Sequence, residues 1–474
     1  GPTNRLVVVF EDAPANNGQP LQPRKRFSPA SFRADSDGKK TSTSALFDKQ
    51  FEVRADLIQA RVRLNASKEQ TDLPEVYLHG EVTVASTDKE DSMVVRGDSL
   101  HVKEDESGNQ TMNLKGTETR PALVQQLDRL IEGISIYLDR AANEAEVVGA
   151  GSLKFIVDKD FEGKSLPQSE PMIISWTKDM LFESNQAILH GEVTARLGDD
   201  KTQRQELICP EMRVHFSQPI SFTEGISGGD EAKLGKLLER IECLGGVLVN
   251  SFEFSQGRTA EERHASFKRV TINQKTGNTE ATGPGWITSW TQDRPRLSKA
   301  VSARANASAE AGKSGWNYTR IDFLGALEGN YRHRTTTFNR NVSIVYGPVE
   351  RLSQAIDPDA GADGELPEGA VRISCDTLQV TERGNKDGPQ TVEVLGSGNA
   401  QLDGRKVHAE ADEIKYDEYK ELFTLLSKGN RLARLWQRDR VGAKWRSVPG
   451  RRFEYSARNH GLNASGVTGG SSGL

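Results

Sequence analysis

A strand that buries one face carries apolar residues at every second position. In this chain the alternation recurs with one repeated interruption. Val407, Ala409 and Ala411 share a parity, and Ile414 and Tyr416 continue at the other. Val371, Ile373 and Cys375 lead in the same way to Leu378 and Val380, and Met93, Val95 and Gly97 to Leu100 and Val102. Phe51, Val53 and Ala55 lead to Ile58 and Ala60, and Leu207 and Cys209 to Met212 and Val214. Weaker versions are Ile131, Gly133, Ile136, Leu138 and Val448, Gly450, Phe453, Tyr455. Two residues stand where one would keep register, and an extra residue in a strand is a bulge or corner that bends it. The last apolar residue before the slip is small (Ala55, Gly97, Cys209, Cys375, Ala411), as a tight bend requires. Four of these five are followed by Asp, at Asp56, Asp98, Asp376 and Asp412. Aspartate can bond backbone amides that a bend sets free.

Return strands marked by Gly lie between these segments, as in Val394–Ala400, Leu426–Asn430 and Val147–Gly151. A longer echo pairs Leu78-His79-Gly80-Glu81-Val82-Thr83-Val84 with Leu189-His190-Gly191-Glu192-Val193-Thr194-Ala195, about 111 residues on. That is far above the period of a short solenoid, so the first half reads as two units of several hairpins each. Two sets have helical spacing: Leu123, Leu127, Leu130, Ile131 and Leu234, Leu237, Leu238, Ile241. Each reads either as a short helix or as a strand preceded by a loop. The expected fold is all-β and repeated, with one or two short helices.

The 474 residues are 35% hydrophobic and 27% charged. That balance favours an elongated body with a thin core over one thick globule. A net charge of −5 gives no basic footprint for nucleic acid. No run of about 18 apolar residues forms a membrane span. The chain opens Gly1-Pro2, like a tag-cleavage scar, and passes directly into the strand-like Leu6–Phe10 without a signal peptide. The expectation is a fragment whose leader or anchor is missing. Cys209, Cys243 and Cys375 read as small buried strand residues, with a Cys209–Cys243 disulfide the alternative in an oxidising compartment.

Composition divides the chain further. Residues 1–46 hold a strand and a Pro/Ser/Gly/Lys/Arg-rich linker, followed by units at 47–155 and 156–255. A degenerate unit at 256–350 contains an Ala/Ser/Lys/Arg-rich loop at 295–315. Residues 351–370, with Asp357-Pro358-Asp359, read as a linker, 371–468 as a last unit and 469–474 as a tail.

The motifs of catalysis are missing: no HExxH or Cys/His metal spacing, GxSxG elbow, Walker loop or GxGxxG between strand and helix. The expectation is a protein that is not an enzyme and carries no cofactor or metal. His79 and His190 occupy equivalent repeat positions and read as exposed turn residues rather than a ligand pair. Asp357, Asp359 and Asp363 suggest a calcium loop, but Gly361 stands where an EF-hand wants Asp or Asn, and a solvated acidic linker is the plainer reading. Asn-x-Ser/Thr at Asn65, Asn306, Asn317, Asn341 and Asn463 is close to chance in a Ser/Thr-rich chain. Trp286 with Trp290, or Trp436 with Trp445, suits a sugar site, although such residues are more often core or strand-pair partners.

The segment Val407-His408-Ala409-Glu410-Ala411-Asp412-Glu413-Ile414-Lys415-Tyr416, then Leu426 to Asn430 and Arg452-Phe453-Glu454-Tyr455, resembles the OstA-like family. That family comprises the LptA- and LptC-like proteins of bacterial lipopolysaccharide transport. Asp376 to Val380 with Gly398-Asn399-Ala400-Gln401-Leu402 is similar. The resemblance is best over 371–468, looser over 51–216 and faint over 256–350. The chain is far longer than the single-domain bridge, which suggests a multi-unit relative.

The resemblance implies antiparallel β-jellyroll, or β-taco, units with an apolar groove that carries acyl chains. It implies a periplasmic or envelope lipid-transport and outer-membrane assembly role. The implied partners are lipopolysaccharide or another acylated lipid, and other jellyroll components joined by edge-strand pairing, with no nucleic acid. Groove candidates are Val82, Val84, Leu100, Val102, Val193, Met212, Val214, Leu378, Val380, Ile414 and Tyr416. A filled core shares the same alternation. The rival readings are a non-enzymatic envelope scaffold that binds protein or glycan, and a carbohydrate-active β-solenoid enzyme with convergent carboxylates.

Overall fold

The structure, a computed structural model, describes residues 5–11, 51–64, 71–86, 92–105, 107–161, 163, 165–220, 237–292, 315–360, 366–384, 391–420, 422–456 and 461–466. The linker residues 12–46, most of the 295–315 loop, Leu234, Asn65, Asn306, Gly361, Asp363 and the tail lie outside them.

Strand follows strand. The first nine are β1 (Arg5–Glu11), β2 (Phe51–Arg54), β3 (Leu57–Leu64), β4 (Thr71–Ser86), β5 (Met93–Glu104), β6 (Gln110–Lys115), β7 (Ala122–Gln126), β8 (Arg129–Asp139) and β9 (Glu144–Lys159). Then come β10 (Ser165–Trp176), β11 (Asp179–Glu183), β12 (Gln186–Gly198), β13 (Gln203–Phe216), β14 (Leu238–Ser255), β15 (Arg258–Asn273), β16 (Asn278–Thr282), β17 (Gly285–Gln292), β18 (Trp316–Phe323) and β19 (Ala326–Asn330). The last are β20 (Thr335–Val349), β21 (Val371–Arg383), β22 (Thr391–Gly404), β23 (Val407–Asp417), β24 (Leu422–Leu426), β25 (Ala433–Gln437), β26 (Arg446–Gly450), β27 (Arg452–Ser456) and β28 (Gly461–Ser465). The fold is all-β and consistent with a β-jellyroll. The registers used below are antiparallel, and β1 runs parallel to β3.

Strand replaces the short helix expected over residues 123–131, a correction; of the second set Leu234 lies outside the described residues and Leu237 is helical just before β14. Leu123, Leu130 and Ile131 lie on the β7–β8 hairpin, and Leu127 sits in its turn at φ 53°. The helical spacing arose because a two-residue turn joins two strand patterns of opposite phase. Leu238 and Ile241 lie on β14.

The chain divides into two compact units. One comprises Gly1–Asp158, Pro167–Ala195 and Glu211–Glu239, and the other Lys159–Leu166, Arg196–Pro210 and Arg240–Leu474. Within each, long strands cross a corner and pair along both arms, whereas short strands pair on one arm only. In the second unit β15 meets β17 through Glu261–Ser266 and β16 through Arg269–Asn273. β23 meets β25 through Val407–Glu410 and β24 through Glu413–Asp417. In the first unit β5 meets β7 through Met93–Arg96 and β6 through Ser99–Glu104. Each sheet is thereby creased into two leaves along a line of corners.

The corners coincide with the phase slips. Ala409, Ala411, Ile414 and Tyr416 are all buried, so burial changes parity across Asp412-Glu413. The extra residue in the ladder belongs to the return strand, a correction to its expected place on the Asp-bearing strand. Gly398-Asn399 of β22 stand against Asp412 of β23. Gly80-Glu81 oppose Asp98, and Arg340-Asn341 oppose Asp376. Gly80 and Glu81 have φ 77° and 45°, and Gly398 and Asn399 the same two values. Two successive left-handed residues turn the return strand sharply, and the facing strand bends with it.

Of residues 351–370, expected as a linker, the described ones (351–360 and 366–370) contain no strand but are anchored. Ile356, Ala360, Leu366 and Ala370 pack with Trp290, Tyr318, Val345 and Val349 in a buried cluster. The Trp290 indole N–H donates to the Gln354 carbonyl at 2.8 Å. Asp357 accepts from the Asp359 amide at 2.9 Å, an ordinary turn bond.

Candidate functional site

Directly paired residues of neighbouring strands project from the same face of a sheet. The registers therefore assemble rows of side chains across many strands. In the second unit one row reads Cys243, Val270, Ala281, Leu327, Phe338, Leu378, Gly396, Ile414, Leu425, Phe453 and Ala464. On the other leaf a second row reads Val249, Ala265, Ile287, Ile321, Ile344, Ile373, Leu402, Ala409, Leu435 and Val448. The first unit repeats the pattern with Ile58, Leu78, Leu100, Leu114, Ile136, Val147, Met180 and Leu189. Its other leaf carries Val53, Val84, Val95, Val124, Ile131 and Leu153. No member of these rows is charged. Each large aliphatic member stabilises by about 1.5–3 kcal/mol when fully buried, so the inner faces dominate the core energetics.

The sequence candidates lie on or beside these rows. Leu100, Leu378 and Ile414 are buried row members, and Val84 is a half-buried one. Val102 and Val380 are half-buried one row farther from the corner, and Tyr416 is 1% exposed in the row of Val380. Val82 pairs with Gly97 at a corner and is buried. Val193, Met212 and Val214 are buried on β12 and β13. Exposure rises at particular strands: Ile287 and Ile344 are half-buried, and Val53 is 40% exposed. The inner face is thus sealed along the crease and accessible in places beside it.

Ile287, Ile321 and Ile344 were missed because their strands are apolar on both faces. Val345 faces outward beneath the anchored 351–370 segment, so Val342-Ser343-Ile344-Val345-Tyr346 shows no clean alternation.

The creases are held by polar contacts outside the apolar rows. The Asn399 side-chain amide donates to Asp376 Oδ2 at 3.0 Å. The Lys428 amide donates to Asp412 Oδ2 at 2.6 Å, and the Asp412 amide to Ser427 Oγ at 3.3 Å. The Asp56 amide donates to the Gly80 carbonyl at 3.0 Å. At the duplicated corner Thr177 takes the aspartate's place and accepts from the Glu192 amide at 2.9 Å. Burial pushes the Cys375 thiol up to about 12, so this corner residue is uncharged at neutral pH.

The outer face of β21 to β23 carries a polar group. Arg372 Nη2 donates to Asp403 Oδ2 at 2.7 Å, and His408 Nδ1 lies 2.6 Å from Asp403 Oδ1. Burial pushes the Asp403 carboxyl up, but the bonds from His408 and Arg372 outweigh it and hold the group below its usual range. The bond to Asp403 raises the His408 imidazole despite partial burial. The tryptophan rings have partners within the chain: Arg320 over Trp286 at 5.4 Å, Arg438 over Trp445 at 4.3 Å, and His408 against Trp436 at 4.8 Å. His79 stacks on Tyr77, whereas His190 pairs with Asp179 at 2.6 Å. Among the described residues no group of three or more His, Cys, Asp or Glu is arranged to hold a metal ion.

The comparison with known families falls on the strands around the Asp376 and Asp412 corners. Residues 365–444, which include β21 to β25, match the family model LptD_N, the LptA/(LptD N-terminal domain) LPS transport protein. The match contains Leu378, Val380, Ile414 and Tyr416. No curated protein matches the chain significantly.

Proposed function

On the premise that residues 365–444 form an LptA/LptD-N-type unit of lipopolysaccharide transport, we propose that this chain is a non-enzymatic envelope protein. It holds the acyl chains of lipopolysaccharide, or of a similarly acylated lipid, against the inner faces of its creased sheets. One observation carries this reading: the uninterrupted uncharged ladders that run across ten or more strands on one face. Where such a face is accessible beside the crease it solvates hydrocarbon and offers acyl chains about 0.8 kcal/mol per buried CH₂. Half-buried Ile344, Ile287 and Val380 mark where a chain first makes contact. Strand addition at a sheet edge would join the protein to other jellyroll components. This setting is the periplasmic side of the envelope, and no cofactor takes part.

A second reading is favoured by the tight burial of Leu378, Ile414 and Tyr416, each at most 1% exposed. An interior already filled by its own side chains suits a scaffold that carries no lipid. Native mass spectrometry with added lipopolysaccharide separates the two. Lipid adducts on the parent that are lost in Ile344→Asp and Val380→Asp, and kept in Gln379→Asp, support transport. No adduct on a folded parent supports the scaffold.

A further inference from the structure

The three cysteines are not equivalent. Cys209 on β13 and Cys243 on β14 are thiols in the structure, not joined by a disulfide, 2% and 0% exposed, and Cys209 lies near enough to raise the Cys243 thiol. Two further contacts bring these segments together. The Phe254 amide donates to the Thr202 carbonyl at 2.9 Å, and a β-carbon built at Gly245 would lie 3.2 Å from the Pro210 ring. Pro210 follows Cys209 directly, and Gly245 follows Cys243 by two positions. Cys375, by contrast, is bonded by the backbone of Ser397 and Thr377 and sits against Gly396. Two of the cysteines are therefore buried neighbours on adjoining strands, not disulfide-bonded in the structure, and the third lies apart from them.

We infer that Cys209 and Cys243 are a disulfide-forming pair that cross-links β13 to β14 beside the Gly245-Gly246 bulge. The reaction needs an oxidant that itself carries a disulfide. One thiolate attacks it to give a mixed disulfide and releases one oxidant thiol. The second cysteine thiolate then displaces the other oxidant thiol and closes the bond. Two protein thiols lose two electrons and two protons, and the oxidant's disulfide is reduced to two thiols. Inside the folded sheet the Cys243 thiol is held protonated by the neighbouring Cys209 and by burial. A protonated, shielded thiol is a poor nucleophile, so the bond closes while the strands assemble and then persists, sealed from reductant. The pairing rests on the two side chains and not on the lipid-carrying reading. It holds for a scaffold equally, and its failure would leave the transport reading untouched.

The test is a thiol count. The full chain is refolded with oxidised and reduced glutathione, then denatured without reductant and treated with a maleimide. Of the three cysteines, only Cys375 should be labelled, and all of them should be labelled after reduction. The oxidised form should weigh about 2 Da less than the reduced form, and a proteolytic digest should yield a peptide joining Cys209 to Cys243. Cys375→Ser should leave no labelled thiol before reduction. Cys209→Ser should restore labelling at Cys243, and because the count is made in denaturant it reads correctly even if that variant folds poorly. Full labelling of the unreduced parent, or a cross-linked peptide containing Cys375, would overturn the assignment.

Discussion

The Asp376 carboxylate rests against the backbone of Gly398: a β-carbon built at Gly398 would lie 2.5 Å from Asp376 Oδ2. Gly398 also has φ 77°, in the left-handed region that other residues occupy only under strain. Asp56 and Gly80 stand in the same relation in the first unit. Aspartate and glycine are thus one device, in which the carboxylate occupies the space that the missing side chain leaves. Gly398→Ala should destabilise by roughly 1–3 kcal/mol, read as a lower midpoint in chemical denaturation. Asp376→Ala in the same background should recover part of the loss, because the clash with the carboxylate goes while the 2.9 Å approach of the residue 376 β-carbon and the φ strain stay.

The small residues at the crease set a volume limit. Ala411 pairs with Ala400 across the bend, and both are buried. Ala411→Leu should overpack the corner at a cost of about 1–3 kcal/mol, and Ala55→Leu should do the same. Thermal melts of both variants that matched the parent would contradict the crease as drawn.

The Asp403–His408–Arg372 group gives stability a pH dependence. The His408 imidazole titrates above its ordinary 6.5 in the folded chain, so its contribution is complete below pH 6.5 and fades as pH rises through the folded value. The Asp403 carboxyl titrates below its ordinary 3.8, so its contribution is present above pH 3.8 and is lost as pH falls through the folded value. His408→Gln should flatten the decline in melting temperature above pH 6.5 and leave the acid limb in place. An unchanged decline would show that another group governs it.

The Trp290 indole both packs with Ile356, Ala360 and Leu366 of the 351–370 segment and bonds the Gln354 carbonyl. Trp290→Ala should cost about 3–5 kcal/mol. Hydrogen exchange should then quicken at the Gln354 and Ala360 amides, which bond back to Arg351 and Asp357. The β22–β23 ladder should keep its protection. Equal loss of protection everywhere would mean that the segment is not a separately anchored piece.

Much of this was legible from sequence at the creases. The slip from Ala411 to Ile414, the small residue and the aspartate are local consequences of one bend and survive in one stretch of chain. The Gly-Asn or Gly-Glu pair opposite was visible only as a return-strand marker, because its partner is set by register and lies more than ten residues away. The leaf that holds Ile287, Ile321 and Ile344 was illegible for another reason. Its outer face also buries apolar residues, Trp290, Tyr318 and Val345, and a strand apolar on both sides has no alternation to read. That outer cover comes from Ile356, Ala360 and Leu366, scattered through an Asp- and Pro-rich stretch whose composition signals a linker. Leu127 misled in the opposite direction, since a hairpin turn can imitate a helical stripe over four leucine and isoleucine positions.

The central claim is that acyl chains lie on the inner face, and a photo-crosslinking side chain tests it with its own control. Val380 and Ile344 project inward and are half-buried, whereas their neighbours Gln379 and Ser343 project from the opposite face. With the crosslinker at each position in turn, the protein is irradiated in envelope extracts and probed for lipopolysaccharide or other acylated adducts. Adducts at Val380 and Ile344, and none at Gln379 and Ser343, are the predicted result. No adduct at any position, or adducts confined to Gln379 and Ser343, would contradict lipid carriage on this face and leave the scaffold reading.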